Sequence, residues 1–160
     1  MIDAEFACPR SKGGTYALLL RADTKQKIDV GALGAMTVHP GAYVYVGSAF
    51  GPGGVRARVE RHARGDGAWH WHVDYLRAAT TLARVWWTHD AERRECDWAA
   101  ALRSLQGAAV PLRGFGASDC GCSAHLVYLD EEGAAAVPRA LRAAVGDGPI
   151  RSAAGDVGAK

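Results

Sequence analysis

Two tyrosines, Tyr16 and Tyr45, stand in short apolar runs, and the second is followed directly by Val46-Gly47. A phenol in a sheet most often packs as an aromatic with its hydroxyl at the edge. A later stretch favours a chemical use. Arg58 and His62 are four residues apart, so on a helix they share one face, beside a Val55/Val59 stripe, and both can lean toward a sheet. Residues 52–64 hold four arginines and one glutamate, a local +3 behind the glycine-rich run Gly47-Ser48-Ala49-Phe50-Gly51-Pro52-Gly53-Gly54. A basic helix opening behind such a loop suits an anion, because free backbone N–H groups and the helix N-terminus both attract phosphate. The run lacks a Gly-Lys-Ser/Thr ending, which excludes a nucleotide-triphosphatase loop. The bland alternative is a solvated basic face with Arg56, Arg61 and Arg64 exposed and Glu60 paired to Arg64.

Glu95 falls on the apolar stripe of a helix that also carries Trp98, Ala99, Leu102 and Leu105. A carboxylate on that side must be paired, protonated or holding a cation. Cys120-Gly121-Cys122 with His125 and the distant Cys96 supply the residue types of a structural zinc. Cys-x-Cys is shorter than the usual Cys-x2-Cys, so buried free thiols are the favoured reading and a structural Zn2+ the alternative. His70, His72 and Asp74 could ligate a metal, but one helix cannot gather His70 and His72 together, since alternate positions point about 200° apart. Local structural roles are expected for them, with one lining a groove.

Several elements must position these groups. Strands are expected over residues 14–21, 27–33, 42–47, 81–88 and 124–129. In residues 42–47 the period of two puts Tyr43 and Tyr45 on one face and Val44 and Val46 on the other. Helices are expected from Val55 to Arg64, stopped by Gly65-Asp66-Gly67, over residues 69–78, and from an Asp90 cap to Leu105 before Gly107. A short last helix has Pro138 at its first position and ends near Gly146. Residues 1–146 form one domain, and 147–160 are a Gly/Ala/Asp-rich tail expected to fray.

The 160 residues suit one domain, and 49% hydrophobic with 22% charged residues excludes global disorder. With 19 basic against 17 acidic residues, the net +2 is too small to announce a nucleic-acid or membrane partner. No run of eighteen apolar residues occurs and the N-terminus resembles no signal peptide, so a soluble, cytoplasmic protein is expected.

These motifs together resemble the GIY-YIG nuclease superfamily, and within it the small Uri-type endonucleases of the DUF123 branch. Gly14-Thr15-Tyr16 matches the first motif, Tyr45-Val46-Gly47 the second and Arg58 to His62 the helical Arg-x-x-x-His. Glu95 stands where the family carries its metal-binding glutamate. Branch features are Gly47-Ser48-Ala49, the segment 70–76 and the segment 114–120, so the resemblance spans roughly residues 13–129. Tyr16 and Tyr45 are 29 positions apart, an enlarged first hairpin, and Ser118-Asp119-Cys120 lies where the family has a late asparagine.

The resemblance implies a single α/β domain with a small, mainly antiparallel central sheet flanked by helices. It also implies hydrolysis of phosphodiester bonds in DNA, and leaves open whether that DNA is branched, nicked, damaged or single-stranded. One Mg2+ or Mn2+ on Glu95 would act as Lewis acid while Arg58 neutralises developing charge. Tyr16 is favoured as proton acceptor, with Tyr45 positioning phosphate or water and His62 assisting, because a free phenol titrates near ~10 and needs help near neutrality. Gly47, Ser48, Arg56, Arg61 and His72 are the expected substrate contacts. The alternatives are a non-catalytic nucleic-acid-binding module that keeps the fold, and a zinc-stabilised structural domain.

Overall fold

Apolar residues on both faces of one strand decide the architecture. In β1 (Gly14–Ala22) every residue but Arg21 is buried, so the strand must lie in the middle of a sheet covered on both sides. The computed structural model, which describes residues 8–65, 68–145 and 150–154, places it there. The remaining elements are β2 (Gln26–Asp29), β3 (Ala35–Val38), β4 (Gly41–Ala49), α1 (Gly54–Arg64), α2 (His72–Arg77) and β5 (Thr81–Thr88). They are followed by α3 (Glu95–Arg103), β6 (Leu126–Leu129), α4 (Glu131–Ala135), α5 (Val137–Val145) and β7 (Arg151–Ala154). The central sheet runs β6-β4-β1-β5-β7 with every neighbouring pair antiparallel, and β2 and β3 pair separately.

Strand alternation divides the core. Tyr16, Leu18, Leu20, Tyr43, Tyr45, Val85 and Trp87 face α1, α2 and the β2–β3 hairpin, meeting Val55, Val59, Val73, Leu76 and Met36. Ala17, Leu19, Val44, Val46 and Trp86 face the opposite layer, where α3 contributes Trp98 and Leu102 and α5 contributes Val137 and Leu141. Fully burying a leucine such as Leu18 contributes roughly 1.5–3 kcal/mol. The mixed α/β class with an antiparallel central sheet is as expected. The long interval between Tyr16 and Tyr45 is occupied by β2 and β3, an insertion that docks on the first face.

Several boundaries differ from expectation, each for a local reason. The helix expected over residues 69–78 is reduced to α2, because Asp74 accepts the backbone N–H groups of His70 (2.7 Å) and Trp71 (2.9 Å) and holds Trp71 extended as the cap. The helix expected from Asp90 begins at Glu95 and closes at Arg103. Asp90 instead accepts from the Glu92 N–H (3.0 Å) and clasps Arg94 at 2.7 Å, closing a turn before the helix. The strand expected over residues 27–33 stops at Asp29 and gives way to a 3-10 turn over Gly31–Leu33, with β3 as an unanticipated partner. The last predicted strand starts at Leu126. Helix α4 was not anticipated; Asp130 caps it by accepting from the Gly133 N–H at 2.8 Å, and Pro138 is the second residue of α5.

Part of the segment expected to fray is ordered: β7 pairs with β5 and buries Ala153. Asp66 and Gly67 of the helix stop, Gly146, residues 147–149 and 155–160 of the tail, and residues 1–7 lie outside the described residues. Among the described residues, no helix is long and apolar enough to cross a membrane.

Trp98 is fully buried and anchors α3 to the sheet. Trp98→Ala is expected to cost about 3–5 kcal/mol, read as a lowered urea midpoint. A loss under ~1 kcal/mol would show that the face does not depend on the ring.

Candidate active site

The β1–β4 register pairs Tyr16 with Gly47 and Leu18 with Tyr45, which puts both tyrosines on one face with ring centroids 6.4 Å apart. The Tyr16 ring lies across Gly47, where an added Cβ would sit 2.6 Å from the phenol oxygen. Only glycine leaves room there, which explains the terminal glycine of Tyr45-Val46-Gly47. Tyr16 Oη is 2.9 Å from His62 Nε2, and both side chains are 1% exposed. His62 Nδ1 points toward Asp74 Oδ1 at 4.0 Å. Asp74 is itself held by two hydrogen bonds from Arg61, at 3.0 and 3.1 Å.

Burial pushes His62 down to about 3, with Arg58, Arg61 and Arg77 adding to the effect and Asp74 opposing it. The ring is therefore neutral near pH 7. Burial also raises both phenols, Tyr45 well above its ordinary value, while Arg58 pulls each back and Glu95 pushes each further up. A protonated Tyr16 thus donates to His62 Nε2, and the imidazole proton resides on Nδ1, on the Asp74 side.

At the end of β4, beside these buried groups, opens a cleft of about 530 Å3 whose walls include Tyr45, Ser48, Arg58, Trp71, Arg93 and Glu95. Glu95 enters from the first turn of α3. Its Oε1 accepts from Ser48 Oγ at 2.9 Å and its Oε2 lies 3.3 Å from His125 Nδ1. The His125 contact first, and then Ser48, hold the carboxyl below its usual range against the effect of burial. Arg58 donates to the Ser48 carbonyl at 3.2 Å, and its guanidinium lies 4.3 Å over the Trp71 ring. Arg93 donates to Ser48 Oγ at 3.3 Å and lies 4.7 Å over Phe50. A carboxylate, two guanidiniums and a phenol thus share one open concavity, suited to a phosphate and a hard cation.

Of the expected site residues, Tyr45, Gly47, Ser48, Arg58 and Glu95 meet in this cleft. Tyr16 and His62 stand behind it, buried and outside its lining. His72 lines an adjoining cavity of about 130 Å3 and accepts from the Gly116 N–H at 2.8 Å. Two expected substrate contacts lie elsewhere. Arg61 is taken up by Asp74 and lies 4.4 Å over Trp71, and Arg56 pairs with Glu60 at 3.2 Å. Sequence reasoning missed Arg93 and Trp71 in the cleft, noted Asp119 only as lying where the resembled family has an asparagine, and gave Asp74, behind the cleft, a local structural role. Arg93 and Asp119 sit in turns, where no periodicity marks a direction.

The cysteines correct a further expectation. They are not separate buried thiols: Cys96 and Cys120 are exposed and line the cleft. The ligand atoms of Cys96, Cys120, Cys122 and His125 all lie within 4.8 Å of one another. Partial desolvation of its sulfur among the neighbouring ligand groups, with Cys122 and Cys120 adding to it, pushes the Cys96 thiol upward.

The depressed His62 makes a signed prediction. The unfolded chain takes up a proton as pH falls through about 6.5, whereas the fold resists uptake until about 3. His62 therefore contributes stability that is present above pH ~6.5 and lost progressively between those values. Denaturant titrations from pH 7 to 4 should show a steeper loss for the wild type than for His62→Gln. Parallel slopes would assign the proton uptake to other groups.

Residues 15–145 match the protein family described as "Domain of unknown function DUF123". Neither a curated protein nor a solved structure matches the chain. The match covers most of the chain, including both tyrosines, the α1 arginines, Glu95 and the cysteine cluster, and the protein therefore belongs to the DUF123 family.

Proposed function

We propose that this protein is a Mg2+- or Mn2+-dependent endonuclease that hydrolyses phosphodiester bonds in DNA, related to the Uri-type branch of the GIY-YIG superfamily. The observation that carries the reading is the convergence of Glu95, Arg58 and Tyr45 on one cleft at the end of β4. Glu95 suits a hard cation: it is an ionised carboxylate fixed by Ser48 and His125, and Asp119 lines the same cleft as a second oxygen donor. Such an ion, when bound, supplies Lewis-acid polarisation of the phosphate.

The chain's own residues supply the rest. Arg58 is held in place by Trp71 and the Ser48 carbonyl, so it meets charge developing on a phosphate oxygen with little reorganisation. Arg93, lining the same cleft, adds a second positive group. Tyr45 is the phenol that faces the cleft and can orient water or phosphate. Tyr16 gives its hydrogen bond to His62, so its placement supports a role beneath Tyr45 more than contact with substrate. Both phenols are protonated at rest, and Glu95's charge is one cause. Neutralising that charge lowers them toward the range in which a phenolate accepts a proton from water.

A binding-only module is the second reading. Trp69 is 48% exposed and rests edge-on against Tyr75, two residues before the Trp71 ring that carries Arg58 and Arg61, and an exposed indole suits an unstacked base.

Purified protein should nick or cut at least one member of a panel of duplex, nicked, branched and single-stranded DNAs with Mg2+ or Mn2+. Glu95→Gln and Arg58→Ala are each expected to lower the rate by about 10^2–10^3-fold. Cleavage by neither the wild type nor any metal condition, or undiminished cleavage by the variants, would sink the nuclease reading. Salt-sensitive binding without cutting would favour the binding module. Trp69→Ala should weaken single-stranded DNA binding by ~5–150-fold, the loss of one stacked base at about 1–3 kcal/mol. Unchanged affinity would remove Trp69 from the interface.

A further inference from the structure

We infer that Cys96, Cys120, Cys122 and His125 bind a tetrahedral Zn2+, and that the cleft carboxylate Glu95 is held by this centre through His125. The zinc part holds whatever the cleft binds, and the reading above enters only in the use made of Glu95.

The ligand atoms already have the right spacing. With Zn–S of about 2.3 Å and Zn–N of about 2.0–2.1 Å, tetrahedral angles place sulfur and nitrogen roughly 3.5 Å apart. His125 Nε2 lies 3.4 Å from Cys120 Sγ and 3.7 Å from Cys96 Sγ. All four ligand atoms fall within 4.8 Å of one another, room for a single ion. Three soft sulfur donors and one imidazole, with four positions filled, suit Zn2+ better than Mg2+ or Ca2+.

The loop gives an independent reason. No helix or regular strand forms between Arg103 and Leu126, a stretch longer than most structureless connections in small domains. Its last part is folded back by the Gly114 N–H on the Ser123 carbonyl (2.6 Å) and the His125 N–H on the Phe115 carbonyl (2.7 Å). Those bonds bring Cys120, Cys122 and His125 against Cys96 in the first turn of α3. An ion shared by these residues would pin the loop to the first turn of α3, as the Arg103 hydrogen bond to the Ala124 carbonyl (2.6 Å) does at its end.

The link to the cleft lies in the two nitrogens of one ring. His125 is 3% exposed. Its Nδ1 has no partner in good hydrogen-bond alignment and lies 3.3 Å from Glu95 Oε2. With Nε2 on the ion, the proton must reside on Nδ1 and is directed at Glu95, the arrangement by which an outer carboxylate orients a histidine ligand. The influence is mutual: the centre also fixes Oε2, while Ser48 fixes Oε1. Glu95 is then a positioning residue for zinc as well as a group of the cleft.

The full chain, purified without chelator, should contain one zinc per molecule by elemental analysis. Replacement by Co2+ should give the intense ligand-field bands of a tetrahedral site with thiolate charge transfer. Glu95→Gln should keep the ion but bind it about 10–100-fold more weakly in competition with a chromogenic chelator. Cys120→Ser should lose it. Wild-type protein without zinc, with freely reactive thiols and octahedral cobalt spectra, would overturn the site even if Cys120→Ser fails to fold. Unchanged zinc affinity in Glu95→Gln would overturn the link to the cleft. A zinc-loaded protein that cuts no DNA would count against the nuclease alone, and a zinc-free protein that cuts DNA against this inference alone.

Discussion

Across the β1–β4 register the Tyr16 ring covers Gly47 and its hydroxyl ends 2.9 Å from His62 Nε2. This contact has requirements on every side. Residue 47 must lack a side chain, or the phenol could not cross the neighbouring strand. The imidazole must be neutral, which follows from its burial beneath α1 and α2 among three arginines. It must also be held in one orientation, and Asp74, itself clamped by Arg61 and the N–H groups of His70 and Trp71, stands on its far side. The cleft is built on the outer surface of this group: Tyr45 beside it on the same face, Arg58 one turn before His62 on α1.

The positive charge of α1 is divided between structural and exposed uses. Arg61 is spent on Asp74, and Arg56 on Glu60. Arg58 alone of these reaches the cleft, and Arg93, from the turn before α3, joins it there. The net +2 of the chain therefore says little about its surface, and so does the local +3 of residues 52–64. What matters for a phosphate is two guanidiniums braced on aromatic rings within one concavity that also holds a fixed carboxylate.

Much of the fold was legible because its rules are local. The alternation of residues 42–47 put Tyr43 and Tyr45 on one face, and the glycine after Arg64 ended α1 in a left-handed turn. Boundaries failed where side chains overrode the pattern. Asp74 delayed α2, the Asp90–Arg94 clasp delayed α3, and the small α4 was hidden in an alanine-rich stretch with weak periodicity. In the site, the tyrosines, Arg58 and Glu95 could be named because strand and helix periods aim them, and Ser48 because it follows the second motif in the glycine-rich run. Arg61 could not be separated from Arg58 in that way, because its partner Asp74 lies 13 residues on in another helix.

By itself the sequence determined the buried central strand, the paired faces of the sheet, the i,i+4 alignment of Arg58 with His62, and the inventory of carboxylate, phenols, thiols and imidazoles. These depend on 2.0- and 3.6-residue periods that act over a few positions. Only the tertiary structure decided which groups meet: Ser48 with Glu95 across 47 positions, Cys96 with His125 across 29, and Tyr16 behind Tyr45 instead of beside it in the cleft. Such meetings are set by strand register and by the path of irregular loops. Neither leaves a periodic trace in the chain, so their outcome appears only once the packed faces have closed.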